Sequence, residues 1–274
     1  MYVGYDLIGG IDFGDCHQEL VQSGRKRYND YKSKIETEIG SFVLSNGKLD
    51  GSKMQDNWFP QINADVFISH SRTDLGKAIA LSQWLFEVFG LNVFVDSCIW
   101  GYANDLLRMI DNEYCLISNG KMYDYNKRNS STSHVHMMLS TALTMMIDKS
   151  ECVLFLNTPN SITTNDVISK TKSPWIYSEI AITKLIKKEL PTRYQSLMES
   201  SRYRKFSKAD SSITVEYIVD TEHLNVLDAG VLSDWERQWE YKEKQHSDGF
   251  QQHPLDLLYE ITLNKKNRYG YFRK

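Results

Sequence analysis

The chain has 274 residues, of which 41% are hydrophobic, and a formal net charge of −3. This length fits one elaborated domain or two small ones, and the near-neutral charge argues against nucleic acid as the main partner. The four cysteines (Cys16, Cys98, Cys115 and Cys152) are widely spaced and form no C-x-x-C pair, so we expect free thiols in a reducing cytosol and no zinc site.

Neither a signal sequence nor a membrane span is predicted. Residues 1–14 lack both a basic segment and an unbroken apolar core. The longest apolar run, residues 135–147, is too short to cross a bilayer and contains polar residues. We therefore expect a cytoplasmic protein with no membrane partner.

The first 62 residues are predicted to be a helical extension followed by a connector. Residues 15–39 are highly charged with a broken apolar stripe, which favours a helix, and residues 45–57 contain two Asx-Gly turn signals. Gly9, Gly10 and Gly14 are not interpreted as a phosphate-binding fingerprint, because no strand–glycine–helix unit is predicted around them.

A β-α-β unit follows residue 62. Residues 64–71 (ADVFISHS) form a short apolar, β-branched run that predicts a buried parallel strand. Residues 75–90 have helical apolar spacing and end in glycine, and residues 91–96 (LNVFVD) predict a second strand. We expect a right-handed crossover between the two parallel strands.

The remainder of the chain continues the alternation of strands and helices. Further strands are predicted at 152–158 and 213–220, and further helices at 103–112, 134–150, 175–189 and 254–264. The segment at about 113–133 is expected to be a surface insertion; 190–212 and 221–253 receive no prediction. The pattern predicts an α/β protein, with a flavodoxin-like doubly wound parallel sheet in a domain spanning 63–264 and a tail at 265–274.

Open parallel sheets bind ligands beyond the carboxyl ends of their strands, near the point where strand order reverses. This rule nominates residues 69–74, residues 96–102 and the loop that follows Asn157. That loop leads into the segment SPWIYSE, where Ser173 is a predicted N-cap and Pro174 is predicted to occupy the first helical position.

Trp175 and Glu179 are spaced i and i+4, so they share one face at the positive end of this helix. A carboxylate beside an aromatic plane suits the stabilisation of a cation at an anomeric carbon, as in glycosidases. The W-x-x-x-E pattern alone is weak, because Trp239 and Glu243 repeat it. Position distinguishes them: Glu179 follows a predicted strand, whereas Glu243 lies in a charged run with no predicted strand before it.

Other candidate sites are weaker. His134 and His136 point apart on a helix, and no third or fourth metal ligand is predicted to converge on them, so no metal site is expected. Cys98 has no neighbouring base in sequence that would activate it as a nucleophile. The methionines at 137, 138, 145 and 146 are interpreted as core residues.

Four segments occur in the order seen in Toll/interleukin-1 receptor (TIR) domains, and the sequence most resembles the bacterial TIR proteins that cleave NAD⁺ in antiphage defence. The resemblance covers roughly residues 63–264, and excludes the first 60 residues and the 113–133 insertion. The matching segments are DVFISHSRTD (65–74), LNVFVD (91–96), CVLFLNT (152–158) and SPWIYSE (173–179).

The resemblance implies cleavage of the nicotinamide–ribose bond of NAD⁺, which is a substrate here, with no other cofactor and no metal. Glu179 matches the catalytic glutamate of the enzymatic TIR domains, and Trp175 matches the tryptophan of their motif. The implied substrate contacts on the two preceding loops are His70, Ser71, Arg72, Asp96, Ser97 and Trp100.

Residues Asp96 to Trp100 fall in the family's BB loop, which implies self-association there, and a downstream effector would sense an ADP-ribose-type product. The turn SRTD departs from the arginine-first version of some relatives, which leaves the phosphate contacts open. Two alternatives stay open: a non-catalytic TIR adaptor, and an enzyme similar to nucleoside deoxyribosyltransferases, which shares the sheet type and the anomeric chemistry.

Overall fold

The computed structural model describes residues 1–32, 38–100, 103–117, 120, 122–165, 168–195, 217–245 and 252–263. Within these ranges the strands are β1 (Val3–Leu7), β2 (Val66–Ser69), β3 (Val93–Val95), β4 (Cys152–Leu156), β5 (Thr163–Asn165), β6 (Ile168–Thr171), β7 (Tyr217–Ile218) and β8 (Asn225–Leu227). The α-helices are α1 (His17–Lys32), α2 (Gly51–Trp58), α3 (Leu75–Phe89), α4 (Asp96–Ile99), α5 (Ala103–Ile110), α6 (Tyr125–Lys149), α7 (Pro174–Leu185), α8 (Thr192–Gln195), α9 (Ala229–Gln245) and α10 (Pro254–Thr262).

Five strands form one all-parallel sheet in the order β3-β2-β4-β1-β8, flanked by helices. The α/β prediction is confirmed, and the sheet is consistent with a flavodoxin-like fold. Its first three positions follow the 2-1-3 start of a flavodoxin-like sheet. The fourth position is taken by β1, the first strand of the chain, rather than by a strand that follows β4.

The N-terminal segment is therefore part of the sheet rather than a separate helical extension. Val3–Leu7 pairs with β4 along its whole length and with β8 on its other side. All five residues of β1 are buried. The loop after β1 leads through a 3-10 turn, Gly14–Cys16, into α1, so a strand and a helix do flank Gly9, Gly10 and Gly14.

Other boundaries also differ from the predictions. Part of the expected connector is helix α2, and residues 125–133 of the expected surface insertion belong to α6. The strand expected at 213–220 is described only at Tyr217–Ile218, where it pairs antiparallel with β6 in a small second sheet of β5, β6 and β7. Residues 213–216 and 265–274 lie outside the described part of the chain.

The connections through α3 and α6 cross the main sheet in opposite directions. From β2 the chain steps outward to β3 through α3, then returns past β2 to β4 through α5 and α6. Right-handed crossovers in opposite directions would place these helices on opposite faces, so the carboxyl edge between β2 and β4 is the topological switch point, the position of the ligand-binding crevice in such sheets. Helix α1 packs beside α3, whereas α7 packs beside α6.

Within the described ranges, no helix is both long enough and apolar enough to span a membrane.

The position of β1 predicts the outcome of two neighbouring substitutions. Leu7 is fully buried, whereas Ile8 is 40% exposed. Leu7→Ala should lower the free energy of unfolding by about 2–5 kcal/mol, because it leaves a cavity in the core, and Ile8→Ala should cost well under half of that. Chemical denaturation of both variants tests this. Equal, small effects would contradict the placement of β1 inside the sheet.

Candidate active site

Helix α7 places a carboxyl group at the sheet. As predicted, Ser173 caps the helix: its hydroxyl accepts a hydrogen bond from the backbone N–H of Ile176 (3.3 Å), and Pro174 is the first helical residue. Glu179 lies one turn further on and is only 3% exposed. Its Oε2 accepts a hydrogen bond from the hydroxyl of Ser69, the last residue of β2.

The surroundings of Glu179 favour its protonated form. Burial raises the pKa of Glu179 well above its usual value, the charge of Asp96 raises it further, and the hydrogen bond from Ser69 acts in the opposite direction. Among the described residues, no lysine or arginine forms an ion pair with Glu179. The carboxyl group thus lacks the counter-charge that a buried carboxylate normally needs.

Three residues that follow β2 and β3 contact one another, and the charge of one of them, Asp96, acts on Glu179. His70 follows β2, while Asp96 and Ser97 follow β3. The Nε2 of His70 lies 3.2 Å from the hydroxyl oxygen of Ser97, and its Nδ1 lies 3.6 Å from Oδ1 of Asp96. The backbone N–H of Ser97 donates to the same Asp96 oxygen at 2.6 Å. The structure thus brings His70, Asp96 and Ser97 into contact with one another and places the charge of Asp96 close enough to act on Glu179.

Asp74 ties the loop after β2 to the loop after β4. Its carboxylate accepts hydrogen bonds from the hydroxyls of Ser71 (2.9 Å) and Thr158 (2.5 Å) and from the side-chain amide of Asn160 (3.0 Å). Lys77 lies 3.2 Å away as an ion-pair partner. Burial alone would raise the pKa of Asp74, but these partners outweigh it and hold the pKa below its usual value.

The other four predicted contacts have the following surroundings. Arg72 is exposed on the 3-10 turn Arg72–Asp74, and Ser71 donates its hydroxyl hydrogen to Asp74 rather than facing outward. Trp100 is buried in the core, where its indole N–H donates to the backbone oxygen of Pro60. Trp175 is half-buried and meets the ring of His136 edge-on, 6.1 Å between centroids.

Four residues of this region received no individual role from the sequence: Ser69, Asp74, Thr158 and Asn160. The first two fall inside the nominated segment 69–74, and the other two follow β4 directly. Small polar residues at the carboxyl ends of two buried strands are the available signal, but which of them meet depends on strand order. A fifth missed residue is Asp6 on β1, whose strand was not predicted.

Cys98 and the methionines at 137, 138, 145 and 146 differ in their surroundings. Burial and the nearby Asp96 raise the pKa of the Cys98 thiol to about 12, which disfavours a reactive thiolate. Met146 is fully buried, as expected, but Met137 and Met145 are 46% and 48% exposed, so the interpretation of all four methionines as core was wrong.

One group of three possible metal ligands occurs in the described ranges: Glu151, His253 and Asp256. Arg193 already occupies it, because its guanidinium donates to both carboxylates at 2.5–2.9 Å. Glu151 precedes β4, so this cluster lies at the opposite end of the strand from the loop after β4 that holds Asp74. A guanidinium that neutralises two carboxylates leaves little attraction for a metal cation.

Glu179 and the polar residues around it are buried. Ser69, His70, Ser71, Asp74 and Glu179 are each at most 8% exposed. Two surface cavities of about 440 and 330 Å³ lie along α2, and no member of this group lines either of them. The described part of the chain therefore presents Glu179 as a buried carboxyl group.

Comparison with known protein families, with curated proteins and with solved structures finds no match to this chain.

The Asp74 contacts predict a strong dependence of stability on this side chain. Asp74→Ala should lower the free energy of unfolding by about 2 kcal/mol or more, because Thr158 and Asn160 lose a charged acceptor. Since the folded-state pKa of Asp74 is depressed, its contribution exists above its unfolded value of 3.8 and disappears as pH falls through the folded value.

Denaturation at neutral pH and near pH 3 measures this difference. Asp105→Ala is the control, because Asp105 is exposed and its ion pair among the described residues is with Arg108 on the same helix (3.6 Å). An Asp74→Ala variant as stable as this control would show that Asp74 does not join the two loops.

Glu179 predicts the opposite pH dependence. Its folded-state pKa is raised, so its contribution to stability is complete below the unfolded value of 4.5 and is lost as pH rises through the folded value. Glu179→Gln removes this titration. The variant should gain thermal stability relative to the unmodified chain as pH rises from 4.5, and thermal melts across that range test this. A difference in melting temperature that does not change with pH would show that Glu179 is not buried as an acid.

Proposed function

We propose that this chain is a TIR-domain NAD⁺ glycohydrolase or ADP-ribosyl cyclase, which breaks the bond between nicotinamide and ribose. The observation that carries the proposal is the buried Glu179 carboxyl, held by Ser69 at the crevice between β2 and β4. This edge of a parallel sheet is where ligands bind in such folds. The order of the four TIR-like segments in the sequence supports the choice of substrate.

In the proposed reaction the carboxylate stabilises positive charge rather than acting as a base. When the C1′–N bond breaks, its electron pair goes to the nicotinamide nitrogen, and positive charge develops on the ribose ring. A preorganised carboxylate in a water-poor site stabilises that charge effectively. Water then adds to C1′ with loss of a proton in the glycohydrolase reaction, whereas an atom of the same molecule adds in the cyclase reaction.

The substrate itself supplies the counter-charge that Glu179 lacks. Its pyridinium ring is positive, so arrival of NAD⁺ beside the carboxyl favours the ionised form of Glu179. Asp96 adds to the negative potential, since its charge already disfavours ionisation of Glu179 in the free protein. Ser69 then holds the ionised carboxylate through a charge-assisted hydrogen bond.

The burial of Glu179 also supports a second candidate function, that of a non-catalytic TIR adaptor. Glu179 is 3% exposed, and such burial is also compatible with a purely structural acid. Self-association through residues Asp96 to Trp100 remains a prediction under either function, as does an effector that senses the product. A deoxyribosyltransferase-like enzyme would use the same carboxylate on free nucleosides, so a substrate panel distinguishes it.

Glu179→Gln should reduce nicotinamide release from NAD⁺ by about 100-fold or more, because the amide cannot stabilise the developing cation. Glu243→Gln is the matched control: Glu243 has the same spacing from a tryptophan but is exposed on α9. Nicotinamide release is measured by chromatography with and without a molecular crowder, and mass spectrometry identifies the second product.

Two results would contradict the proposal. Undiminished turnover in the Glu179→Gln variant would remove this carboxyl from the chemistry. If the unmodified protein released no nicotinamide under either condition, the adaptor function would replace the enzymatic one.

A further inference from the structure

Asp6 is a buried acid at the same edge of the sheet as Glu179. It lies near the carboxyl end of β1 and is 8% exposed. Its Oδ2 accepts a hydrogen bond from the side-chain amide of Asn157, the residue after β4, at 3.2 Å. Its Oδ1 is buried and accepts no hydrogen bond from the described residues, although the side chain of Thr221 lies close enough to lower the pKa of Asp6. Burial of a carboxyl oxygen without a hydrogen bond lowers the free energy of unfolding. At an edge of the sheet where ligands bind, a ligand could supply the missing hydrogen bond.

The register of the sheet puts Asp6 on the face that carries Glu179. Asp6 pairs with Phe155, and Phe155 pairs on its other side with Ser69. Residues in register on neighbouring parallel strands point to the same face. On that face Ser69 holds Glu179, and Phe155 packs in a cluster with Ile176 of α7. Asp6 is the third member of the row, beyond Phe155.

The distance between Ser69 and Asp6 along this row indicates which part of a bound ligand would lie at Asp6. Two strand separations place Asp6 roughly 9–10 Å from Ser69. This is more than the width of one ribose ring, and it suits the distance between the two halves of a dinucleotide. A ligand whose reacting anomeric carbon lies at Glu179 would thus bring its second sugar toward Asp6.

The chemistry of the free oxygen fits a sugar hydroxyl. Burial raises the pKa of Asp6, while the side chains of Asn157 and Thr221 act in the opposite direction. A hydroxyl donor at Oδ1 would complete the hydrogen bonding of the carboxylate and favour its charged form. Acidic side chains bind ribose hydroxyls in the same way in other dinucleotide-binding sheets.

We propose that Asp6 binds the hydroxyls of the second ribose, the one attached to adenine, when the dinucleotide occupies the site. This inference rests on the proposed function for its ligand, and it gives the N-terminal strand a direct role in substrate binding. Asp6 would determine affinity and position, whereas Glu179 would act on the bond that breaks.

Calorimetric binding of ADP-ribose tests the proposal without any turnover. The unmodified protein should bind ADP-ribose about tenfold or more tightly than the analogues that lack the 2′- or the 3′-hydroxyl of the adenosine ribose. Asp6→Asn should lose at least tenfold in affinity for ADP-ribose, and its preference over the analogues should largely disappear. Asp15→Asn is the control, because Asp15 follows the same strand but is exposed; its affinities should match those of the unmodified protein.

The proposal is overturned if the unmodified protein binds ADP-ribose and both analogues equally, or binds none of them; neither result depends on a variant that folds. It also fails if Asp6→Asn weakens ADP-ribose and the analogues by the same factor, since Asp6 would then only maintain the fold. Nicotinamide release by the unmodified protein is measured separately, so loss of the proposed function and loss of the Asp6 interaction give different results.

Discussion

The burial of Glu179 against Ser69 is the constraint on which the chemistry of this protein depends. A carboxyl group that is 3% exposed, close to Asp96 and held by a hydroxyl is costly to keep in the folded chain. Packing elsewhere has to offset that cost: α7 anchors Ile176 and Ile180 in an apolar cluster around Phe155, directly beside the carboxyl. The same rigid helix that stabilises the fold therefore also fixes the position of the acid.

Strand order then decides which polar groups surround that acid. Because strand order reverses between β2 and β4, the loops after these two strands meet at the carboxyl edge of the sheet. Asp74 joins them through Thr158 and Asn160, which fixes the edge of the site. Insertion of β1 beside β4 extends the same edge by one strand and adds Asp6 to it. The site is thus built from segments far apart in the chain.

Local patterns were sufficient for much of the fold, and nonlocal pairing explains the failures. The apolar runs at 64–71 and 152–158 predicted β2 and β4, and the N-cap at Ser173 predicted the start of α7. The strand β1 was missed because its sequence VGYDL includes Gly4 and Asp6, residue types that disfavour strands. Pairing with β4 and β8 stabilises β1, and these partners cannot be predicted from the local sequence. For the same reason the sequence indicated which loops lie near Glu179 but not which of their residues contact one another.

The two tryptophan–glutamate pairs show how much of a motif's meaning comes from its place in the fold. A strand precedes each helix, since β8 leads directly into α9, so the absence of a strand before the second pair was the wrong criterion. What differs is the depth of the pair within its helix. Glu179 lies near the start of α7, close to the strand ends, and is buried there. Trp239 lies far along α9, where its ring packs 6.0 Å from Phe89, and Glu243 is exposed. Both helices begin at the carboxyl edge of the sheet, so a carboxylate lies at that edge only if it belongs to the first turns of its helix, as Glu179 does.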